Sequence, residues 1–315
     1  MNRFPLRARL ATTVTALGTA LGAFASMGTA TAATAQLSGE WAPFTRCPVD
    51  APLMLGADGL ARTPQCVVSS SPNGSITLGN TTVVTGRTDL QLGIVQNSDG
   101  TSTVVAPPAG AIIADSASVP GGLLGLMCPS GIPAITAICE QLTNSTLNKI
   151  TATVESVGTP SDFDQSAGVV TGLPIVALPV RIHLENPFLG ANCYIGTRTD
   201  PIVLRPKNLT YPEFGLSFFK GDGTLADDGE MSRISLTGAA QNDSDFAVPG
   251  AAGCGLGVGL IDAAVNLKTG LPSAAGRNSL TLNDTRTYLT GLTAPGTVAP
   301  DAGKILARNW NSAVK

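Results

Sequence analysis

Thr88-Asp89-Leu90-Gln91-Leu92-Gly93-Ile94-Val95, followed by Asn97-Ser98-Asp99-Gly100 and then by Thr101-Ser102-Thr103-Val104-Val105, is the stretch that decides the fold class. Leu90, Leu92 and Ile94 recur at every second position, the period of a strand with one face toward a core. The Asn-Ser-Asp-Gly run is turn chemistry, with glycine free to take a positive φ. Together they predict a β-hairpin.

Working outward, β-branched and aliphatic residues predict further strands at 75–78 and 82–85 upstream. Downstream strands are predicted at 151–157, 173–185, 201–204, 216–219, 231–237 and 279–282. Residues 106–122 read as a short strand within a Pro- and Gly-rich connection. Residues 36–71, broken by Pro43, Pro48, Pro52 and Pro64, read as an irregular cap, stapled if Cys47 pairs with Cys66. Around Ile132 the period changes: Ile132, Ile135, Ile138 and Leu142 repeat every three to four residues. Pro133 suits a first helical turn, so a helix is predicted over 133–148, bringing Cys139 toward Cys128. A second short helix is predicted over 259–268, stopped by Gly270 and Pro272. The expected fold is mainly β, a β-sandwich or barrel-like domain with one or two short helices.

The N-terminus carries Arg3, Arg7 and Arg9 with no acid, then an uncharged run rich in Ala, Leu, Val and Thr, then Ala30-Thr31-Ala32 and Ala33-Thr34-Ala35. This is the pattern of a signal peptide over 1–35, with cleavage expected after Ala32 or Ala35, leaving a β-rich secreted domain over 36–315. No later stretch approaches the roughly 20 apolar residues of a spanning helix, so no transmembrane anchor is expected in the mature chain. All six cysteines lie behind the leader. An even count in an exported chain predicts disulfides, and neighbours along the chain suggest Cys47 with Cys66, Cys128 with Cys139 and Cys193 with Cys254.

Composition narrows the function classes. The net charge is −3, and the leader's arginines make the remainder more negative still. No Lys/Arg cluster offers the basic patch that nucleic-acid binding needs. Charged residues are 13% of the chain, against roughly 25% in ordinary soluble domains, and mean hydropathy is positive. Aromatics at 4% leave few rings for stacking on sugars.

His183, the single histidine, is the one side chain whose ordinary pKa lies near neutral. Alternation puts it beside Arg181 and opposite Val180, Ile182 and Leu184, with Glu185 on its own face. That pair could act as acid and base, or His183 could be a surface strand residue. G-x-S-x-G, H-E-x-x-H, Walker A and G-x-G-x-x-G patterns are all absent. Gly253-Cys254-Gly255-Leu256-Gly257-Val258-Gly259 is read as loop backbone around a disulfide. Asp222, Asp227, Asp228 and Glu230 could supply oxygen ligands to calcium, with Asp243 and Asp245 in a second loop, but the order does not fit an EF-hand; a solvated turn is the alternative. Asp162 and Asp164 would serve glycoside hydrolysis only with a partner carboxylate about 5 to 9 Å away. No cofactor is expected.

Two stretches carry a resemblance. One is Glu185-Asn186-Pro187-Phe188-Leu189-Gly190-Ala191-Asn192-Cys193-Tyr194-Ile195-Gly196 with Asp200-Pro201-Ile202. The other is Gly253-Cys254-Gly255 with Asp262-Ala263-Ala264-Val265-Asn266 and Gly270-Leu271-Pro272-Ser273. With the Ala/Thr-rich leader they resemble a group of uncharacterised secreted proteins of actinobacteria. The resemblance is confined mainly to the second half, implies an extracellular or cell-envelope address and supports the Cys193–Cys254 pairing. The expectation is thus a non-catalytic secreted or envelope-associated protein with a structural or ligand-binding role, its partners envelope components or a small apolar ligand. The alternatives are a secreted hydrolase using a carboxylate pair the sequence does not locate, and a carrier of a small apolar ligand. A closed cavity lined by Leu, Ile and Val would mark the carrier.

Overall fold

The computed structural model describes residues 36–128, 133–142, 146–255, 259–293 and 300–315, so the leader expected over 1–35 lies outside the described residues. The strands, in chain order, are β1 (Arg62–Ser71), β2 (Asn73–Leu78), β3 (Thr81–Thr85), β4 (Thr88–Asn97), β5 (Ser102–Val105), β6 (Ile112–Ala114), β7 (Ala117–Ser118) and β8 (Thr151–Ser156). They continue with β9 (Leu178–Glu185), β10 (Tyr194–Ile195), β11 (Ile202–Leu204), β12 (Lys207–Asn208), β13 (Glu213–Phe219), β14 (Met231–Asp243), β15 (Ala251–Ala252) and β16 (Ser279–Leu292). The helices are α1 (Pro52–Leu55), α2 (Gly122–Met127), α3 (Pro133–Leu142), α4 (Leu260–Thr269) and α5 (Ala302–Ser312).

The strands form two antiparallel sheets, and neither closes into a barrel. The larger has the central order β12-β14-β16-β1-β4-β5, with β13 on β14, β2 on β16, β3 on β2 and β6 on β4. The smaller runs β15-β10-β9-β8-β7, with β11 on β9. Alternation sorts side chains between layers. Leu178, Val180, Ile182 and Leu184 of β9 meet Val67, Leu92, Ile94, Leu236 and Leu289 of the larger sheet in one buried core. Leu123 and Leu126 of α2 and Ala264 and Val265 of α4 join that core. α4 ends where sequence reading places its end: Gly270 takes a left-handed φ of 72°, and Leu271 N–H closes on Asn266 O at 2.9 Å.

The opposite face of the larger sheet has its own core. Cys66 and Val68 of β1, Val95 of β4 and Leu292 of β16 pack under Trp41, Phe44, Met54 and Leu306. A cap made of residues 36–58 and α5 therefore covers this face, and its two parts meet where Leu37 bridges Val314. The structure corrects the expected extent of the irregular cap at 36–71. Residues 62–71 are β1, a central strand paired in register with both β4 and β16. Pro64 disguises it, because proline cannot donate to a ladder; here Pro64 pairs only with Val95 on β4, and pairing to β16 starts at Cys66. Burial on both faces also removes the alternation that would announce a strand.

The hairpin that opened the reading is β4–β5. Asn97 N–H donates to Thr101 O at 2.8 Å, and Gly100 adopts φ +84°. The helices expected at 133–148 and 259–268 are α3, which ends at Leu142 before a 3-10 turn at Thr146–Asn148, and α4; α1, α2 and α5 are additional. Ile132 lies outside the described residues. No helix among the described residues is long and apolar enough to cross a membrane.

All three disulfides form between neighbours in sequence: Cys47–Cys66, Cys128–Cys139 and Cys193–Cys254. The first ties the cap to β1. The third is buried in the inter-sheet core and joins the loop before β10 to the loop before α4. Loop-closure entropy gives about 3, 3 and 4 kcal/mol in that order.

Candidate functional site

Between the sheets lies a cavity of about 90 Å³. The β2–β3 hairpin supplies Ile76, Leu78 and Val83; β6 and β7 supply Ile112 and Ala117; β8 supplies Ala152 and Val154. Ile182 and Leu184 of β9 and Leu280 and Leu282 of β16 complete the walls. These are the inward residues of strands read at period two. Ala117 pairs with Ala152, so two small side chains lie side by side on the wall that the smaller sheet gives the cavity. An unfilled void of this size costs about 2 kcal/mol at the slope known for apolar cores. Its walls are mostly aliphatic, and among the described residues the polar lining is Thr81, Thr85, Thr88, Asp115 and Thr269. A second space of about 50 Å³, which shares Pro206 as a lining residue with the first, lies beside Leu92, Leu236 and Leu289. It is more polar, with Gln241 donating to Asn208 Oδ1 at 3.0 Å.

His183 sits on the outer face of the smaller sheet. Its Nδ1 is 3.6 Å from Glu155 Oε1 and 3.7 Å from Glu185 Oε1, and its Nε2 is 3.2 Å from Ala191 O. The ring stacks on Tyr194 at 4.5 Å. Arg181 places its guanidinium 3.7 Å from the centre of the Tyr194 ring and holds Glu155 through two bonds of 2.9 and 2.6 Å. The structure thus brings His183 and Glu185 together, and adds Glu155, which alternation within one strand cannot supply. The hydroxyl bound to Glu185 is that of Thr151, at 3.3 Å. None of these side chains lines either inter-sheet space, so the cluster is an electrostatic clasp across β8, β9 and β10.

The acidic clusters act as turn formers. Asp222 Oδ1 accepts from Thr224 N–H at 2.9 Å, and Glu230 Oε1 from Gly221 N–H at 2.9 Å, while Asp227 and Asp228 are exposed. Asp243 is buried, accepting from Arg205 N–H and Asp245 N–H; Asp245 pairs with Lys207 at 3.0 Å. Among the described residues no three His, Cys, Asp or Glu side chains gather in a way that could hold a metal ion. Asp162 and Asp164 both line an open groove beside the β4–β5 turn, and no other carboxylate among the described residues lines it. Of the Gly253–Gly259 run, residues 256–258 lie outside the described residues.

Hydrogen bonds from Thr224 N–H to Asp222, from the Ser166 hydroxyl to Asp164 and from the Lys207 ammonium to Asp245 hold these carboxyls below the usual value of 3.8. A carboxyl depressed in the folded state stabilises the fold above its unfolded pKa, and that contribution is lost as pH falls through the folded value. Urea midpoints are therefore expected to fall as pH drops below about 4, and to fall less steeply in an Asp164→Asn, Asp222→Asn variant. An identical acid limb in the two proteins would contradict this.

The chain matches no protein-family model, no curated protein and no solved structure. The reading of function therefore rests on the geometry.

Proposed function

We propose that this chain is an exported, non-catalytic β protein that carries a small apolar ligand between its two sheets, outside the cell or in the cell envelope. The observation that carries the reading is the aliphatic inter-sheet cavity. Its Ile, Leu and Val lining with few polar groups favours a carrier of an apolar ligand over a purely structural sandwich. The leader pattern and the three disulfides support export, since such bonds persist in oxidising compartments. The acid–base alternative lacks a comparable support, because His183 and its carboxylates line no inter-sheet space.

Two measurements test it. Native mass spectrometry of protein taken from its own culture medium should show a chain cleaved after Ala32 or Ala35, with three disulfides and a small-molecule adduct. In a second experiment, Ala152→Leu should fill the cavity, raise unfolding free energy by about 1–2 kcal/mol in urea and abolish xenon binding seen by NMR. Wild-type xenon affinity in that variant would sink the carrier reading.

A further inference from the structure

We infer that the ligand of the inter-sheet cavity is a neutral short-chain molecule with one hydroxyl or carbonyl group, and that this group bonds to Thr85. The assignment rests on the carrier reading and specifies its ligand. The polar residues of the cavity are not scattered. Thr81 and Thr85 belong to β3, Thr88 opens β4, and Asp115 follows β6, so they stand on one side of a space whose other walls are aliphatic. The fifth, Thr269, spends its hydroxyl on Val265 O at 2.7 Å. Thr85 differs: its Oγ1 is buried and has no hydrogen-bond partner among the described residues. Buried hydroxyls in folded proteins are nearly always bonded, so one left free at the edge of an apolar cavity calls for a partner from outside the chain. A ligand hydroxyl or carbonyl supplies it, while the ligand's body takes the place among Ile76, Val83, Ile182 and Leu184.

Charge and size narrow the class. Among the described residues Asp115 is the only charged group lining the cavity, and its Oδ2 already accepts from Arg87 N–H at 3.0 Å. No cationic side chain among the described residues lines the space to pair with a carboxylate, so a fatty-acid anion would be desolvated there without a counter-ion. Asp115 is exposed, so water screens its attraction for an ammonium head, and the apolar walls leave that head desolvated. The volume of about 90 Å³ is smaller than the roughly 150 Å³ of an engineered apolar cavity that takes benzene or xenon. That points to a body of about four or five carbons.

The test titrates the full disulfide-bonded protein, followed by methyl NMR, with n-pentane, 1-butanol, butanoate and butylammonium. Wild type should bind n-pentane and 1-butanol, and the two charged probes at least about tenfold more weakly than 1-butanol. Thr85→Val, which keeps the shape, should weaken 1-butanol about five- to tenfold and leave n-pentane unchanged or tighter. Thr85→Ser should bind 1-butanol within about twofold of wild type, which separates the hydroxyl from any disturbance of folding. If Thr85→Val shifts both neutral probes equally or neither, or if a charged probe binds as tightly as 1-butanol, the head-group assignment falls while the cavity reading stands. If wild type takes up no n-pentane, the carrier reading falls with it.

Discussion

Replacing Trp41 with alanine is expected to lower the unfolding free energy by about 3–5 kcal/mol, a large share of the stability of any single domain. Trp41 is fully buried. Its indole meets Phe44 edge-on at 6.0 Å and Phe219 edge-on at 5.5 Å, and Nε1 donates to Gly221 O at 2.9 Å. Truncation removes the transfer energy of the ring, leaves a void beneath the cap and forfeits two aromatic contacts worth about 0.5–1.5 kcal/mol each. Gly221 O keeps a donor, the Ser312 hydroxyl at 3.0 Å, so the loss is mainly one of packing. Trp310→Ala is the internal comparison. Trp310 is only half-buried and donates to Phe44 O at 2.8 Å, so its removal should cost less. Urea unfolding should show a lower midpoint at unchanged slope for Trp41→Ala. A loss under about 1 kcal/mol would mean that the cap is dispensable to the fold.

The second large effect concerns Cys193 and Cys254. Replacing both with alanine is expected to cost about 4 kcal/mol, more than the roughly 3 kcal/mol expected for either other pair. The bridge closes a separation of 61 residues, against 19 and 11, and it is the one whose two sulfurs both lie in the inter-sheet core. Three double-alanine variants, unfolded under non-reducing conditions, should rank in that order. Equal or greater destabilisation from removing Cys128–Cys139 would show that strain or residual unfolded structure, rather than loop length and burial, governs the series.

Particular residues show how much of the fold was legible. The two faces of β9 are legible because its outer face meets solvent, so Val180, Ile182 and Leu184 alternate with Arg181 and His183, but the strand expected at 173–185 begins only at Leu178. β14 and β16 were read only in part, at 231–237 and 279–282, although they run to Asp243 and Leu292. Each slips phase midway. On β16 the inward positions change from Leu280 and Leu282 to Thr285, Thr287 and Leu289, and Asp284 at the slip takes φ +46°. On β14 they change from Leu236 to Ala239 and Gln241 at Gly238, φ +79°. The paired register shifts at the same place. A bulge hides a strand from any period-two reading. α5 could have been found, since Ala302, Leu306 and Asn309 recur at helical spacing and are buried.

By itself the sequence determined the β class, the β4–β5 hairpin, the polar and apolar faces of β9 and the pairing of cysteines that are neighbours along the chain. Each is a local property, set by side-chain period, by turn chemistry or by short chain separation. Tertiary structure alone decided that β1 is central, that the second core lies under the cap, that Glu155 joins His183, and that a cavity opens between the sheets with Thr85 Oγ1 unpaired at its wall. These depend on which distant strands approach one another and how closely. Ala117 and Ala152 leave room on one wall because β7 and β8 bring these two small residues side by side, and no local pattern records that they meet.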